Sequence, residues 1–338
     1  KLKIIGFVMM KLLYGKIMLQ LIRWKNLLFL GVLQTLMFFG VIKPILAKYA
    51  ITLPYQYPIF GLLLCATIFI AAGGYIVNDY FDTKIDQINK PTKVIVGNTI
   101  SRNTAGWAFQ ICFGIGIACG IALGILLNKL NVAILFAVIS GMLWFYSSSY
   151  KRIFLLGNLV ISLCSFLSVF SIGYLAATSL ENEYGVLIYK TGILSEIYAW
   201  VSTFGLFAFL FTFIREVVKD IEDIEGDREM ECHSLPIVLG INTTKIVLTV
   251  VTLISALIVG YFCFYLNPFQ TDNISTKYYI LGILVPSIIL IFWIGKAEKR
   301  RDWRQISTFI KFIMLIGTLY AAVVGYLFIL NYSYNLNA

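Results

Sequence analysis

Residues 57–77 read YPIFGLLLCATIFIAAGGYIV, and residues 78–86 continue as NDYFDTKID. The first part carries no charge and matches the roughly 20 apolar residues that cross the hydrocarbon core of a bilayer as one helix. The second part carries three carboxylates directly after that run. The stretch therefore predicts a membrane-spanning helix that ends in an acidic segment at the membrane surface.

The whole chain repeats this apolar character. Of its 338 residues, 59% are hydrophobic and 13% are charged, against about 45–50% and 25% in an average soluble domain. The composition predicts an all-α, polytopic membrane protein with nine transmembrane helices in a bundle. The apolar runs are at 27–47, 57–77, 105–127, 130–148, 155–178, 197–214, 243–265, 278–295 and 308–331.

The basic residues indicate an orientation. The net charge is +10, and no nucleic-acid-binding motif accompanies it. If the N-terminus is inside, all but five of the 27 basic residues fall on the inner side, as the positive-inside rule requires; the five are Lys43, Lys48, Lys129, Lys190 and Lys277. We therefore expect a cytoplasmic N-terminus, a basic amphipathic segment over 1–25 at the bilayer surface, and a single transmembrane domain over 26–338.

Two acidic clusters share one spacing. The first acidic cluster, Asp79, Asp82 and Asp86, follows the second apolar run, and the second acidic cluster, Asp220, Asp223 and Asp227, follows the sixth. Asn78 and Lys219 each stand one residue before a cluster. Spacing of i, i+3 and i+7 projects three side chains from one face of a helix. Neighbouring Glu222, Glu225 and Glu229 project to the other side, and we expect them to face water.

Three like charges on one helix face repel each other, and a divalent cation removes that cost. Oxygen ligands select a hard ion, and Mg²⁺ binds through one or two carboxylates together with water and substrate phosphate. Because both clusters follow even-numbered runs, we expect them at one membrane face, where two Mg²⁺ ions hold a diphosphate. Basic residues expected on that face can contact phosphate oxygens directly, namely Lys93, Arg102, Lys151 and Arg152.

At these residues the chain resembles the UbiA-type prenyltransferase superfamily. Its first signature, NDxxDxxxD, matches Asn78 and the first acidic cluster, and its second, DxxDxxGD, matches the second acidic cluster with Gly226. Arg23 and Asn26 are similar to the RxxN pair that opens the first span of the family. Further matches follow each signature: Pro91, Gly97 and Ser101 after the first, and Leu235, Pro236 and Gly240 after the second.

The resemblance implies an enzyme that binds an allylic isoprenyl diphosphate through Mg²⁺ and transfers the prenyl group to a lipid or aromatic acceptor within the membrane. It implies metal ligation by Asn78 and both acidic clusters, and catalytic roles for Asp82, Asp86, Asp223 and Asp227. Tyr146 is the aromatic residue that we expect to stabilise the allylic cation, although it stands five residues before Lys151 and the family spacing is four. The implied diphosphate-binding set adds Arg23, Asn26, Asn78 and Lys219 to the four basic residues named above. We also expect a cytoplasmic-side active-site cap on the helix bundle, and no protein partner is implied.

Residues 215–227, REVVKDIEDIEGD, look most like the geranylgeranylglycerol-phosphate geranylgeranyltransferase branch, which makes ether lipids in bacterial or archaeal cell membranes. The metal signatures serve ring-carbon and hydroxyl acceptors equally, so an aromatic prenyltransferase of quinone biosynthesis remains an alternative. A divalent-cation transporter is a remote alternative. Such a protein is expected to carry charged residues in the middle of its spans, and the apolar runs of this chain have almost none there.

Overall fold

The computed structural model describes residues 15–89, 91–266, 269 and 272–335, so most of the expected 1–25 segment lies outside the described residues. Residues 15–21 are helical. The helices that follow, in chain order, are α1 Trp24–Lys48, α2 Gln56–Phe81, α3 Thr83–Asn89, α4 Arg102–Leu126, α5 Leu130–Ser148, α6 Leu156–Tyr184, α7 Ile193–Glu222, α8 Ile224–Glu229, α9 Leu235–Leu239, α10 Ile241–Tyr265, α11 Asn273–Lys296 and α12 Arg300–Asn335.

Nine of the helices in the described part of the chain are long and apolar enough to cross a membrane, which confirms the predicted number. Side chains such as Ile125, Leu257 and Phe292 on these helices are exposed, as expected of residues that face lipid rather than water. The helices extend beyond the apolar runs, and α7 continues through Asp220 to Glu222. Part of each acidic cluster is thus helical.

The helices form two compact units. The first unit comprises the chain up to Gly31 together with Leu62–Ser149. Its helices approach closely because glycines stand at the crossings: a Cβ at Gly116 would overlap Ile70, and one at Gly120 would overlap Phe136. After α3, Gly97 has a φ of +90°, which favours glycine, and Ser101 caps α4 by accepting from the Thr104 N–H.

The second unit comprises Val32–Gly61 and Tyr150–Ala338. Its core includes the fully buried Trp200 on α7, whose ring meets those of Phe262 and Phe328 edge-on. A π-helical turn at Phe38–Ile42 brings α1 against α12, where a Cβ on Gly40 would overlap the Ala321 carbonyl. The ring contacts of Trp200 pack α7 against α10 and α12 in the second unit.

Short segments after each cluster explain the glycines and prolines noted in the sequence. Pro236 occupies the first turn of α9, where its missing N–H costs nothing, and Leu235 beside it is buried. Gly240 has a φ of +78° at the junction of α9 and α10. These residues shape the return of the chain into the next span.

Candidate active site

Both acidic clusters have the same backbone. Each helix is interrupted at the middle aspartate, Asp82 between α2 and α3 and Asp223 between α7 and α8. Hydrogen bonds of the i→i−4 type nevertheless continue across both breaks: the Asp86 N–H donates to the Asp82 carbonyl at 2.8 Å, and the Asp227 N–H to the Asp223 carbonyl at 3.2 Å. The predicted helical spacing therefore holds, with a local bend instead of one unbroken helix.

In the first unit, the bend is accompanied by side-chain hydrogen bonds. The Thr83 hydroxyl donates to the carbonyls of Asp79 and Tyr80, in competition with the helix ladder. The Asp82 carboxylate is only 4% exposed and accepts a 2.7 Å hydrogen bond from the Asn78 amide. Asn78 thus orients a buried carboxylate through its amide nitrogen, and the metal ligation expected of it, which would use the amide oxygen, stays a prediction.

Arg23 pairs with the first acidic cluster. Its Nη2 lies 2.7 Å from Asp79 Oδ1, and its guanidinium lies over the Tyr75 ring at 4.9 Å from the centroid. Burial alone lowers the pKa of Arg23, but the attraction of Asp79 and further negative charge raises the net pKa above its usual value. Arg23 has a φ of 51°, a strained backbone for a non-glycine residue, which the surrounding contacts must hold.

The structure also positions other predicted residues of the first unit. Arg102 lies over the Tyr80 ring at 4.7 Å. The Asn26 N–H donates to the Arg23 carbonyl at 2.8 Å. Tyr146 is part-buried in the last turn of α5, and Lys93 ends the short 3₁₀ turn Pro91–Lys93, its side chain being outside the described residues. Their predicted roles remain predictions.

In the second unit, each carboxylate has a different environment. Asp227 is 5% exposed. Asp220 Oδ2 accepts a 2.8 Å hydrogen bond from Asn158 on α6. Asp223 Oδ1 accepts a 3.3 Å hydrogen bond from Arg300 at the start of α12. One aspartate of each cluster is therefore paired with an arginine from a distant part of the chain.

A fourth carboxylate, Glu216, extends the second acidic cluster by one helical turn. It stands four residues before Asp220, is 7% exposed, and acts electrostatically on Asp220. Arg215 Nη1 donates to its Oε1 at 3.0 Å, and Lys219 Nζ donates to the same oxygen at 2.8 Å. Lys219 thus forms an ion pair with Glu216.

The glutamates beside the second acidic cluster differ from one another. Glu225 and Glu229 are exposed, as expected. The expectation is wrong for Glu222, whose side chain is 9% exposed and accepts from Arg304 Nε at 3.0 Å. Arg304 lies one turn after Arg300 on α12, so the start of this helix is bound to the end of α7 at two points.

Two predicted basic residues lie on the 3₁₀ turn Tyr150–Arg152. Lys151 attracts Asp220 electrostatically. The carbonyl of Arg152 accepts the His233 N–H at 2.9 Å, which joins this turn to the loop after the second acidic cluster. The turn is therefore part of the surroundings of that cluster.

Sequence reasoning missed Asn158, Arg215, Glu216 and Arg300. For Glu216, the signal was present as an i−4 spacing from Asp220. Asn158 and Arg300 carry no such signal, because they lie 62 and 77 residues from their partners along the chain.

The residues present fit a hard divalent ion. The donor set consists of carboxylate oxygens, which hard ions prefer. The guanidinium groups of Arg23 and Arg300 supply positive charge to Asp79 and Asp223. Among the described residues, no group of three or more His, Cys, Asp or Glu side chains is arranged to hold a metal ion. Mg²⁺ needs only one or two carboxylates when water and phosphate complete its shell, so the absence of a preformed cage is compatible with it.

An apolar cavity lies inside the second unit. Its volume is about 50 Å³, and its wall includes Phe204, Phe207, Tyr278 and Tyr320. The Tyr278 hydroxyl donates to the Ile316 carbonyl at 2.6 Å, and the Tyr320 hydroxyl is bonded to Ser275, so the rings present mainly apolar surface. The cavity has room for about four water-sized spheres, which is too little for a long isoprenoid chain.

Comparisons with known proteins identify the family of the chain. The UbiA prenyltransferase family model matches residues 36–316. The digeranylgeranylglyceryl phosphate synthase of Saccharolobus solfataricus is 35% identical over 77% of this chain and 85% of its own length. That of Sulfolobus acidocaldarius is 31% identical over 82% and 90%.

Solved structures share the fold. A structure described as concerning digeranylgeranylglyceryl phosphate synthase in membranes superposes with a TM-score of 0.58 at 23% identity, over 92% of this chain and 98% of the other. A UbiA homologue from Archaeoglobus fulgidus bound to DMAPP and Mg²⁺ gives 0.53 at 16% identity, over 88% and 98%. With nine apolar helices in the part of the chain that the structure describes and a family match over most of its length, the chain is a multi-pass membrane prenyltransferase and belongs to the UbiA prenyltransferase family.

Proposed function

We propose that this enzyme transfers a geranylgeranyl group from its diphosphate to the free hydroxyl of geranylgeranylglyceryl phosphate, in a Mg²⁺-dependent reaction that forms an ether lipid. The observation that carries the chemistry is the pair of matching helix breaks, each with a buried carboxylate beside an arginine-paired one. The choice of acceptor is supported by the relatives, which are digeranylgeranylglyceryl phosphate synthases that this chain matches over most of their length.

In this proposal, both acidic clusters serve one diphosphate. The carboxylates of Asp79, Asp82, Asp86, Asp220, Asp223 and Asp227 would hold the metal ions. Bound Mg²⁺ supplies Lewis-acid charge that neutralises the leaving diphosphate. The order of the spans in the sequence supports this proposal. If every apolar helix crosses the membrane, the second and the sixth span end at the same membrane face.

The chain's own residues then carry the remaining steps. The guanidinium groups of Arg23 and Arg300 lie beside Asp79 and Asp223, where they can stabilise charge that develops on the departing diphosphate. The C–O bond of the donor breaks, the acceptor oxygen bonds to the allylic carbon, and its proton leaves to a carboxylate or to diphosphate. Tyr146 is proposed to face the allylic cation, and Lys93, Arg102, Lys151 and Arg152 to contact phosphate oxygens.

We also propose that the N-terminus and the two acidic clusters are cytoplasmic. The distribution of basic residues supports this orientation. The archaeal origin of the relatives supports a cell-membrane location.

The test uses purified protein with Mg²⁺ and labelled geranylgeranyl diphosphate, offered geranylgeranylglyceryl phosphate in one reaction and hydroxybenzoate in another. We expect label in the glycerol lipid alone and none when a chelator removes the metal. Labelled hydroxybenzoate without labelled lipid would refute the proposed acceptor.

A further inference from the structure

Arg215, Glu216 and Lys219 form a charged group near the end of α7, directly after the apolar run 197–214. Their side chains are 17%, 10% and 30% exposed. Charged groups that are largely removed from water are costly unless they are paired and hydrogen-bonded. This group therefore calls for an explanation beyond helix stability.

Only part of the Arg215 guanidinium is hydrogen-bonded. Its Nη1 donates to Glu216, while its Nε is buried and has no hydrogen-bond partner among the described residues. A buried donor without an acceptor costs free energy comparable to a lost hydrogen bond. The edge of the guanidinium that includes Nε can bind two oxygens of one anion. The arrangement fits an oxyanion as the missing partner.

The charge of the group also favours an anion. Arg215 and Lys219 both donate to the carboxylate of Glu216, so two cations lie on one carboxylate. Lys151 adds positive charge on the neighbouring Asp220. A phosphate monoester, with nearly two negative charges at neutral pH, suits this environment better than a neutral ligand.

The position of the group indicates which phosphate it meets. Glu216 stands one helical turn before Asp220, on the face that carries the second acidic cluster, and Arg215 lies about 7.5 Å from Asp220 along the helix axis, on the side towards the membrane. The donor diphosphate is assigned to the carboxylates and their metal ions. The acceptor of the proposed reaction carries a second phosphate that those carboxylates would repel, so it requires a separate cationic contact.

We propose that Arg215, oriented by Glu216 and assisted by Lys219, binds the phosphate of the glycerol lipid acceptor and so selects acceptors that carry a phosphate. This inference rests on the proposed function. Arg215 makes no bond in the reaction; it positions the acceptor so that its hydroxyl meets the allylic carbon.

The test compares wild-type protein with Arg215→Gln and Arg215→Lys. The lysine variant keeps the charge near Glu216 but loses the fork. Arg228→Gln is the matched control, because Arg228 is an exposed arginine on the adjacent α8. The KM values for donor and acceptor are measured separately, and equilibrium binding of geranylgeranylglyceryl phosphate is measured by calorimetry without donor.

We expect both Arg215 variants to raise the acceptor KM and dissociation constant about 10- to 100-fold, as befits a lost charged hydrogen bond. The donor KM should change less than about 2-fold, and the control should match wild type. With geranylgeranylglycerol, which lacks the phosphate, wild type and variants should be equally poor. If Arg215→Gln fails to fold, Arg215→Lys alone carries the comparison.

A raised donor KM with an unchanged acceptor KM would assign Arg215 to the donor diphosphate and overturn the inference. Unchanged values for both substrates would overturn it as well. Failure of the wild-type protein to prenylate geranylgeranylglyceryl phosphate would instead refute the proposed function.

Discussion

Replacing Asp227 with asparagine removes one charge from the second acidic cluster and changes almost nothing in shape. Asp227 is 5% exposed, so its charge acts through protein more than through water. At an effective dielectric constant of about 20, one carboxylate and one unit positive charge 4 Å apart attract by about 4 kcal/mol. Loss of that attraction from the transition state corresponds to a rate about 1,000-fold lower.

The stability of the metal-free protein should respond differently. Asp227 and Asp220 repel each other electrostatically, and a buried carboxylate is costly to desolvate. Asp227→Asn relieves both costs, so we expect the melting temperature without Mg²⁺ to stay within a few degrees of wild type or to rise. The prediction is a large loss of activity without a loss of folded protein.

The assay is Mg²⁺-dependent transfer of labelled prenyl groups, with melting followed in detergent by intrinsic fluorescence. Glu225→Gln is the control, since Glu225 lies two residues away and is exposed; we expect less than about a 2-fold change. Equal losses in the two variants, or wild-type activity in Asp227→Asn, would show that carboxylate charge at this position is not part of the reaction.

Two further predictions concern the second unit. Asn158→Leu removes the 2.8 Å hydrogen bond to Asp220 and leaves that carboxylate without this donor. We therefore expect a loss of stability of about 1–3 kcal/mol, measured by thermal melting, and a higher Mg²⁺ concentration for half-maximal activity. An unchanged melting temperature and Mg²⁺ response would contradict the role of this bond. Glu196→Gln weakens the contacts in which Lys48 and Tyr49 donate to the Glu196 carboxylate at 2.7 and 2.9 Å, so we expect a lower melting temperature. We expect kcat to stay unchanged, because Glu196 lies about 36 Å from Asp220 along α7. A fall in kcat of the fully folded variant would show that Glu196 affects the reaction.

Much of the fold was predictable because a bilayer imposes a simple rule. An apolar run of about 20 residues must form a helix to satisfy its backbone, so the number of spans follows from the sequence alone. The i, i+3, i+7 spacing likewise predicted the two acidic clusters. Helix ends were less predictable, since polar residues such as those of α7 up to Glu222 continue a helix without any apolar signal.

The sequence by itself determined the all-helical membrane architecture, the two signatures and the family. Only the tertiary structure decided which cations meet which carboxylates: Arg23 with Asp79, Arg300 with Asp223, and Arg304 with Glu222. The physical reason is that local hydrophobicity and helical period are properties of neighbouring residues, whereas a salt bridge joins side chains that packing brings together from anywhere in the chain.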